Sequence, residues 1–251
     1  MHMLFISNQK AYIESKKHLV TLLKIYKEFP KSVTAVICPS FVHVGVTHDA
    51  IRTLRKKNLI LGAQNMSVEL SGAHTGEVPI EQLGDFNVRY VIIGHSEVRA
   101  LGETLEVMRK KMDLCLKNKI TPVVCVGEID RDEQGKYVFA LEREVKELFA
   151  GYTKRDLEQL VICYEPVWAI STHAQGVCTP IHFEEAVRAI KKTLHDMTGN
   201  TAVGKLTFVY GGSVNADTIG GFFESELCEG FLVGKASAQP KELKRLAAAF
   251  T

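Results

Sequence analysis

The residues best suited to chemistry in this chain are a carboxylate, an imidazole and an ammonium, each at the end of a short apolar run. Glu165 lies in Val161-Ile-Cys-Tyr-Glu-Pro-Val-Trp-Ala-Ile170, a stretch of strand character. Pro166 follows at once, so the chain leaves the strand there. Pro166-Val167-Trp168 then opens a loop that reaches to Thr179-Pro180. A Glu between strand residues and a loop able to cover it is placed to lose water, and desolvation suits a carboxylate to general-base work. The competing reading is a rim Glu held in a salt bridge. His95 follows Gly94 and precedes Ser96, a candidate helix N-cap. An imidazole facing the positive end of a short helix is favoured in its neutral form. Such a ring donates to a carbonyl and still passes protons; otherwise it is a satisfied strand-end His. Lys10, in Asn8-Gln9-Lys10, is either a solvated charge or a fixed cation for a developing oxyanion. Asn8 is a candidate to hold a substrate's polar atoms. Glu97 either pairs with Lys10 and positions it or caps the helix.

Two glycine loops complete the set. Gly211-Gly212-Ser213 and Val233-Gly234-Lys235 each end an apolar run. Glycines allow sharp turns and close backbone approach, and amides at a following helix start hold phosphate. One such loop only turns a chain, but two in succession point to a phosphate cradle. A carboxylate base, an imidazole electrophile, a cation and a phosphate cradle together suit proton transfer next to a carbonyl on a small phosphorylated molecule.

These residues need a scaffold that brings distant segments together. Eight strand candidates alternate with helical patterns: Met3–Ser7, Val33–Cys38, Leu59–Gly62, Tyr90–Ile93, Pro122–Val126, Leu160–Tyr164, Leu206–Tyr210 and Gly230–Val233. Helical periodicity is clear over Ser15–Lys27, Leu105–Leu116, Val138–Phe149, Phe183–Met197 and Lys241–Phe250. The alternation predicts an α/β protein whose parallel eight-stranded sheet closes into a (β/α)₈ barrel. An open doubly wound sheet is the alternative, weakened because no Gly-x-Gly-x-x-Gly follows the first strand. In a barrel the C-terminal strand ends share one face, and active sites lie there. Every candidate residue above sits at such an end. No linker or composition shift divides residues 1–251, so one domain is expected.

Composition agrees with an ordinary catalytic domain. The formal charge is +2 from 31 basic and 29 acidic residues, which gives no argument for a nucleic-acid or membrane partner. Arg55-Lys56-Lys57 and Arg109-Lys110-Lys111 read as solvated helix faces. The six cysteines form no C-x-x-C pair and read as reduced, buried thiols in a cytoplasmic protein. No run approaches the ~18 apolar residues of a membrane span, and the start of the chain lacks the pattern of a signal peptide. No metal-ligand cluster is visible.

Eight motifs then appear in order: Asn8-x-Lys10, Gly62-Ala-Gln-Asn65, Thr75-Gly-Glu77, Gly94-His-Ser-Glu97, Cys125-Val-Gly-Glu128, Tyr164-Glu-Pro-Val-Trp-Ala-Ile170, Tyr210-Gly-Gly-Ser213 and Gly230-Phe-Leu-Val-Gly234. With them the chain resembles the triosephosphate isomerase family along essentially its whole length. The resemblance implies a barrel enzyme that interconverts dihydroxyacetone phosphate and glyceraldehyde 3-phosphate with no cofactor and no metal. It implies that Glu165 moves the proton between carbons, His95 moves protons between oxygens, Lys10 offsets the enediolate charge and Asn8 orients the substrate. Ser213, Gly234 and the amides of Lys235 and Ser171 would hold phosphate. Ile170 and Leu232 match an apolar pair that closes over the base, with Ser96, Glu97, Trp168 and Tyr210 in support. Thr75 matches the tip of a loop that enters the partner of a homodimer.

Some positions depart from the family pattern. Gln9 replaces a usual aromatic, Tyr12 a usual Asn or His, Val98 a common Arg and Lys235 a usual Gly. The loop Ser171-Thr-His-Ala-Gln-Gly-Val-Cys-Thr-Pro180 lacks two glycines of the usual lid and is longer. Two rivals follow from these changes: a barrel enzyme acting on a bulkier sugar phosphate, and a non-catalytic barrel that binds a phosphorylated metabolite or a protein.

Overall fold

The computed structural model describes residues 2–132, 134–170, 176–199 and 205–251. Eight parallel strands form a closed barrel in sequence order: β1 (Met3–Asn8), β2 (Val33–Cys38), β3 (Leu59–Ala63), β4 (Tyr90–Ile93), β5 (Thr121–Val126), β6 (Val161–Tyr164), β7 (Thr207–Tyr210) and β8 (Gly230–Val233). β8 returns to pair with β1, from Leu4 opposite Gly230 to Ser7 opposite Val233. This closure rules out the open doubly wound sheet. The helices are α1 (Lys16–Ile25), α2 (Val44–Leu54), α3 (Ile80–Asp85), α4 (Ser96–Arg99), α5 (Leu105–Lys117), α6 (Lys136–Leu148), α7 (Lys154–Leu157), α8 (Pro180–Thr198) and α9 (Pro240–Ala249).

Strand alternation divides the core in two. Leu4, Ile6, Val36, Cys38, Ile92, Val123, Cys125, Val161, Cys163, Val209 and Leu232 point inward and fill the barrel. Their neighbours, such as Met3, Phe5, Ala35, Ile37, Ile162 and Phe208, point outward and pack beneath the helices. The apolar runs of the sequence carry both sets, which is why they read as nearly continuous. Helix starts have local causes. The Ser15 hydroxyl accepts from the His18 amide at 3.2 Å, and the Thr104 hydroxyl from the Val107 amide at 3.3 Å. Thr179 forms a reciprocal cap with His182 just before Pro180, and Gly199 ends α8 in the left-handed conformation.

One expectation is corrected. Lys111 does not belong to a solvated basic face. It is buried, and its ammonium bonds Glu103 and, at 2.7 Å, Asn65 Oδ1. Its neighbour Arg109 donates to the carbonyls of Glu147, Leu148 and Ala150, closing the end of α6. The six cysteines are free and buried. Burial pushes the thiols of Cys115, Cys178 and Cys228 up to about 12. No helix among the described residues is long and apolar enough to cross a membrane.

Candidate active site

The backbone of Glu165 is clamped between neighbouring strand ends. Its amide donates to the Val126 carbonyl at 2.8 Å, and the Gly211 amide donates to the Tyr164 carbonyl at 2.8 Å. Gly127 makes this possible, since a Cβ there would lie 2.1 Å from the Glu165 carbonyl oxygen. The carboxylate is only 3% exposed. It is held by one residue twice: the Ser96 amide donates to Oε2 at 2.9 Å and the Ser96 hydroxyl to Oε1 at 2.9 Å. His95 Nε2 lies 3.2 Å from Oε1.

His95 is placed by the turn that ends β4. Gly94 has φ +75, and a Cβ there would lie 2.1 Å from Met108 Cε. Glycine is thus required by both conformation and space. The structure also reassigns the helix cap. His95, not Ser96, is the N-cap of α4: its Nδ1 accepts from the Glu97 amide at 3.2 Å. An Nδ1 that accepts carries no proton, so the neutral ring bears its proton on Nε2, toward Glu165. Freed from capping, the Ser96 side chain bonds Glu165.

Lys10 adopts φ +46, unusual for a residue with a side chain. Its amide donates to Asn8 Oδ1 at 3.3 Å and its carbonyl accepts from Gln64 Nε2 at 3.0 Å. Gln64 also donates to the Cys38 carbonyl at 3.0 Å, tying the ends of β1, β2 and β3 together. The Lys10 ammonium bonds Glu97 Oε1 at 2.6 Å, which settles the pairing alternative for Glu97. The preceding Gln9 is fully buried; it lies close to the Tyr26 hydroxyl, yet neither amide atom makes a hydrogen bond.

A cavity of about 420 Å³ opens at this face, lined by Lys10, Tyr12, His95, Glu165, Ile170, Leu232, the segment from Gly211 to Asn215, and Gly234 to Ala236. It extends past the β8 end to Asp217, Gln239, Glu242 and Arg245. Segments from opposite ends of the chain therefore meet, as the strand-end pattern predicts. Gly234 sits against Lys10: a Cβ there would be 3.3 Å from Lys10 Cε. Of the candidate residues, Asn8 does not line the cavity. It is buried, and its Oδ1 braces the Lys10 turn. Ser171 lies outside the described residues, as do positions 172–175 of the proposed lid.

Support for the loops comes partly from residues not singled out by sequence. Glu128 Oε1 accepts from the Tyr164 hydroxyl at 2.7 Å, Trp168 Nε1 at 2.9 Å and Arg131 at 3.3 Å. This fixes Trp168, in the 3₁₀ turn Val167–Ala169 where the chain leaves Glu165. The Ser213 hydroxyl donates to the Ala169 carbonyl at 3.0 Å, joining the same turn to the β7 loop. Tyr210 packs its phenol where a Gly212 Cβ would fall and contacts Cys178 at the far end of the loop. Burial raises the Tyr210 and Tyr164 hydroxyls well above the usual phenol range, for Tyr164 with help from the Glu128 charge. Both therefore remain donors. Glu128 and Gln64 fall inside quoted motifs, but only their tertiary partners reveal what they do.

Residues 3–250 match the family model described as triosephosphate isomerase. Similar proteins include the triosephosphate isomerases of Caldanaerobacter subterraneus subsp. tengcongensis, 35% identical over 239 residues and 94% of each chain, and of Aquifex aeolicus, 35% identical over 246 residues, 96% of this chain and 95% of the relative. That of Dictyoglomus thermophilum is 38% identical over 229 residues, 90% of this chain and 88% of the relative. With a match of that extent and a closed barrel that gathers Lys10, His95 and Glu165, the chain belongs to the triosephosphate isomerase family.

Proposed function

We propose that this protein interconverts dihydroxyacetone phosphate and D-glyceraldehyde 3-phosphate through an enediolate, by acid and base side chains alone. The observation that carries the reading is the 3.2 Å approach of His95 Nε2 to the Glu165 carboxylate in a cavity that also holds Lys10 and two glycine loops. Glu165 takes the proton from the carbon beside the carbonyl and returns it to the neighbouring carbon. His95 donates its Nε2 proton to the carbonyl oxygen as charge develops there and recovers a proton from the neighbouring hydroxyl, which becomes the new carbonyl. Lys10, fixed by Glu97, offsets the negative charge of the enediolate. Phosphate is held at the other end by Ser213 and the amides after Val233, with Ser171 contributing from the lid. Ile170 and Leu232 exclude water over the base.

Both Glu165 oxygens are occupied by Ser96 in this state. The carboxylate must therefore turn away from Ser96 before it can reach a substrate carbon. The lid would drive that turn, hinging at Pro166–Trp168 and near Val177–Thr179. A coupled isomerase assay on the purified protein tests the reaction. Turnover of glyceraldehyde 3-phosphate that survives excess EDTA and exceeds turnover of larger sugar phosphates is expected. Faster turnover of the larger sugars would refute it.

The working unit is proposed to be a homodimer. The loop carrying Thr75 is exposed from Ser71 to Glu77, with only two short internal backbone bonds around its tip, from the His74 and Glu77 amides. Exposed Tyr12, Val42, Leu70 and Leu101 stand on the loops that follow β1 to β4. Apolar surface of that kind marks an interface. Light scattering at micromolar concentration should give twice the chain mass; a fully active monomer would contradict the assignment. The free buried thiols suit a reducing compartment, and a cytoplasmic location is proposed on that basis.

A further inference from the structure

Three basic residues line the cavity that holds Glu165 and His95: Lys10, Lys235 and Arg245. Two are already paired with carboxylates. Lys10 bonds Glu97 at 2.6 Å. Arg245 bonds Asp217 at 2.5 Å and Glu242 at 2.9 Å, which also accounts for the two carboxylates at that end of the cavity. Lys235 has no ion pair or side-chain hydrogen bond among the described residues. It follows Gly234 and begins the 3₁₀ turn Lys235–Ala238, so its stem rises from the backbone that would cradle phosphate. An uncompensated cation at that end of the cavity attracts an anion of matching position.

We propose that the Lys235 side chain is a phosphate-recognition group of this site, drawing the substrate's phosphate dianion to the β8 loop by charge. The proposal rests on the phosphate-end reading given above, and adds the charge of a side chain to that backbone cradle. Because Lys235 is exposed, its effect acts through partly screened charge. It should therefore change binding and encounter more than the chemical step, and it should respond to salt.

The test is the pair Lys235→Met and Lys235→Arg, each compared with the wild-type protein. At low ionic strength, Lys235→Met should raise KM for glyceraldehyde 3-phosphate by about 3- to 10-fold, with kcat changing far less. The Kd for inorganic phosphate, read by calorimetry, should rise by the same factor. Lys235→Arg should keep both near wild type. Near 1 M salt, where the Debye length is ~3 Å, the Met variant and the wild type should converge. A Met variant with KM and phosphate Kd unchanged at low salt would overturn the proposal. So would a loss that persists undiminished at high salt, since that signature belongs to altered backbone. The calorimetry separates this claim from the reaction itself. Lys235-dependent phosphate binding without isomerase activity would sink the reaction and leave the assignment standing; isomerase activity with Lys235-independent phosphate binding would do the reverse.

Discussion

Glu165→Gln lowers kcat by about 10³- to 10⁴-fold while the protein stays folded and still binds inorganic phosphate. The amide keeps the shape of the carboxylate and can retain a bond from the Ser96 hydroxyl, but it cannot accept a carbon-bound proton. Glu165→Asp keeps the base and withdraws it by a methylene, and a ~1 Å misplacement costs ~10²-fold. The order Glu, Asp, Gln is the informative result. The backbone at Glu165 is fixed by the Val126 carbonyl and by the close approach of Gly127, so it cannot advance to make up the missing length. Activity in the Gln variant equal to wild type would remove Glu165 from the chemistry.

Lys111→Met is expected to have the largest effect on stability. Lys111 and Glu103 have side chains only 7% and 2% exposed, and they pair directly. Glu103 Oε2 also accepts from the Gly94 amide at 2.9 Å, so the pair braces the turn that presents His95. Removing the ammonium leaves a buried carboxylate without its counter-charge, which costs about 3–5 kcal/mol. For a chain of this length that is a fall of roughly 10 °C in Tm. Adding Glu103→Leu to Lys111→Met removes the stranded charge and should recover part of the loss. Calorimetric melting of the two variants checks this; a Lys111→Met protein that melts with the wild type would show that the pair carries no net stability.

Much of the architecture is legible in the sequence because each signal is local. The bounds of β2, β4 and β8 coincide with the apolar runs, and the closing Gly230-Phe-Leu-Val233 strand is recognisable from its composition and the Gly234 that follows. The candidate residues at strand ends converge because a barrel puts those ends on one face. What sequence does not reveal depends on partners far along the chain. Helical periodicity marks Arg109-Lys110-Lys111 as one charged segment, but only folding brings Glu103 and Asn65 onto Lys111. Ser96 is a good cap by type, yet the His95 ring reaches the Glu97 amide first and leaves Ser96 to Glu165. Asn8 stands out by type and position, but that its oxygen braces the left-handed turn at Lys10 is read only from the fold. Glu128 joins Arg131 of its own loop to Tyr164 and Trp168 at the end of β6, a convergence with no linear signature.

The most direct measurement of the central claim is proton NMR of dihydroxyacetone phosphate incubated in D₂O with the purified protein and excess EDTA. A carboxylate base whose abstracted proton exchanges with D₂O at the enediol stage, before a proton is delivered to the neighbouring carbon, predicts glyceraldehyde 3-phosphate carrying deuterium at C2, formed by the wild type and essentially not by Glu165→Gln. No conversion by the wild type, or conversion at an undiminished rate by Glu165→Gln, would contradict it.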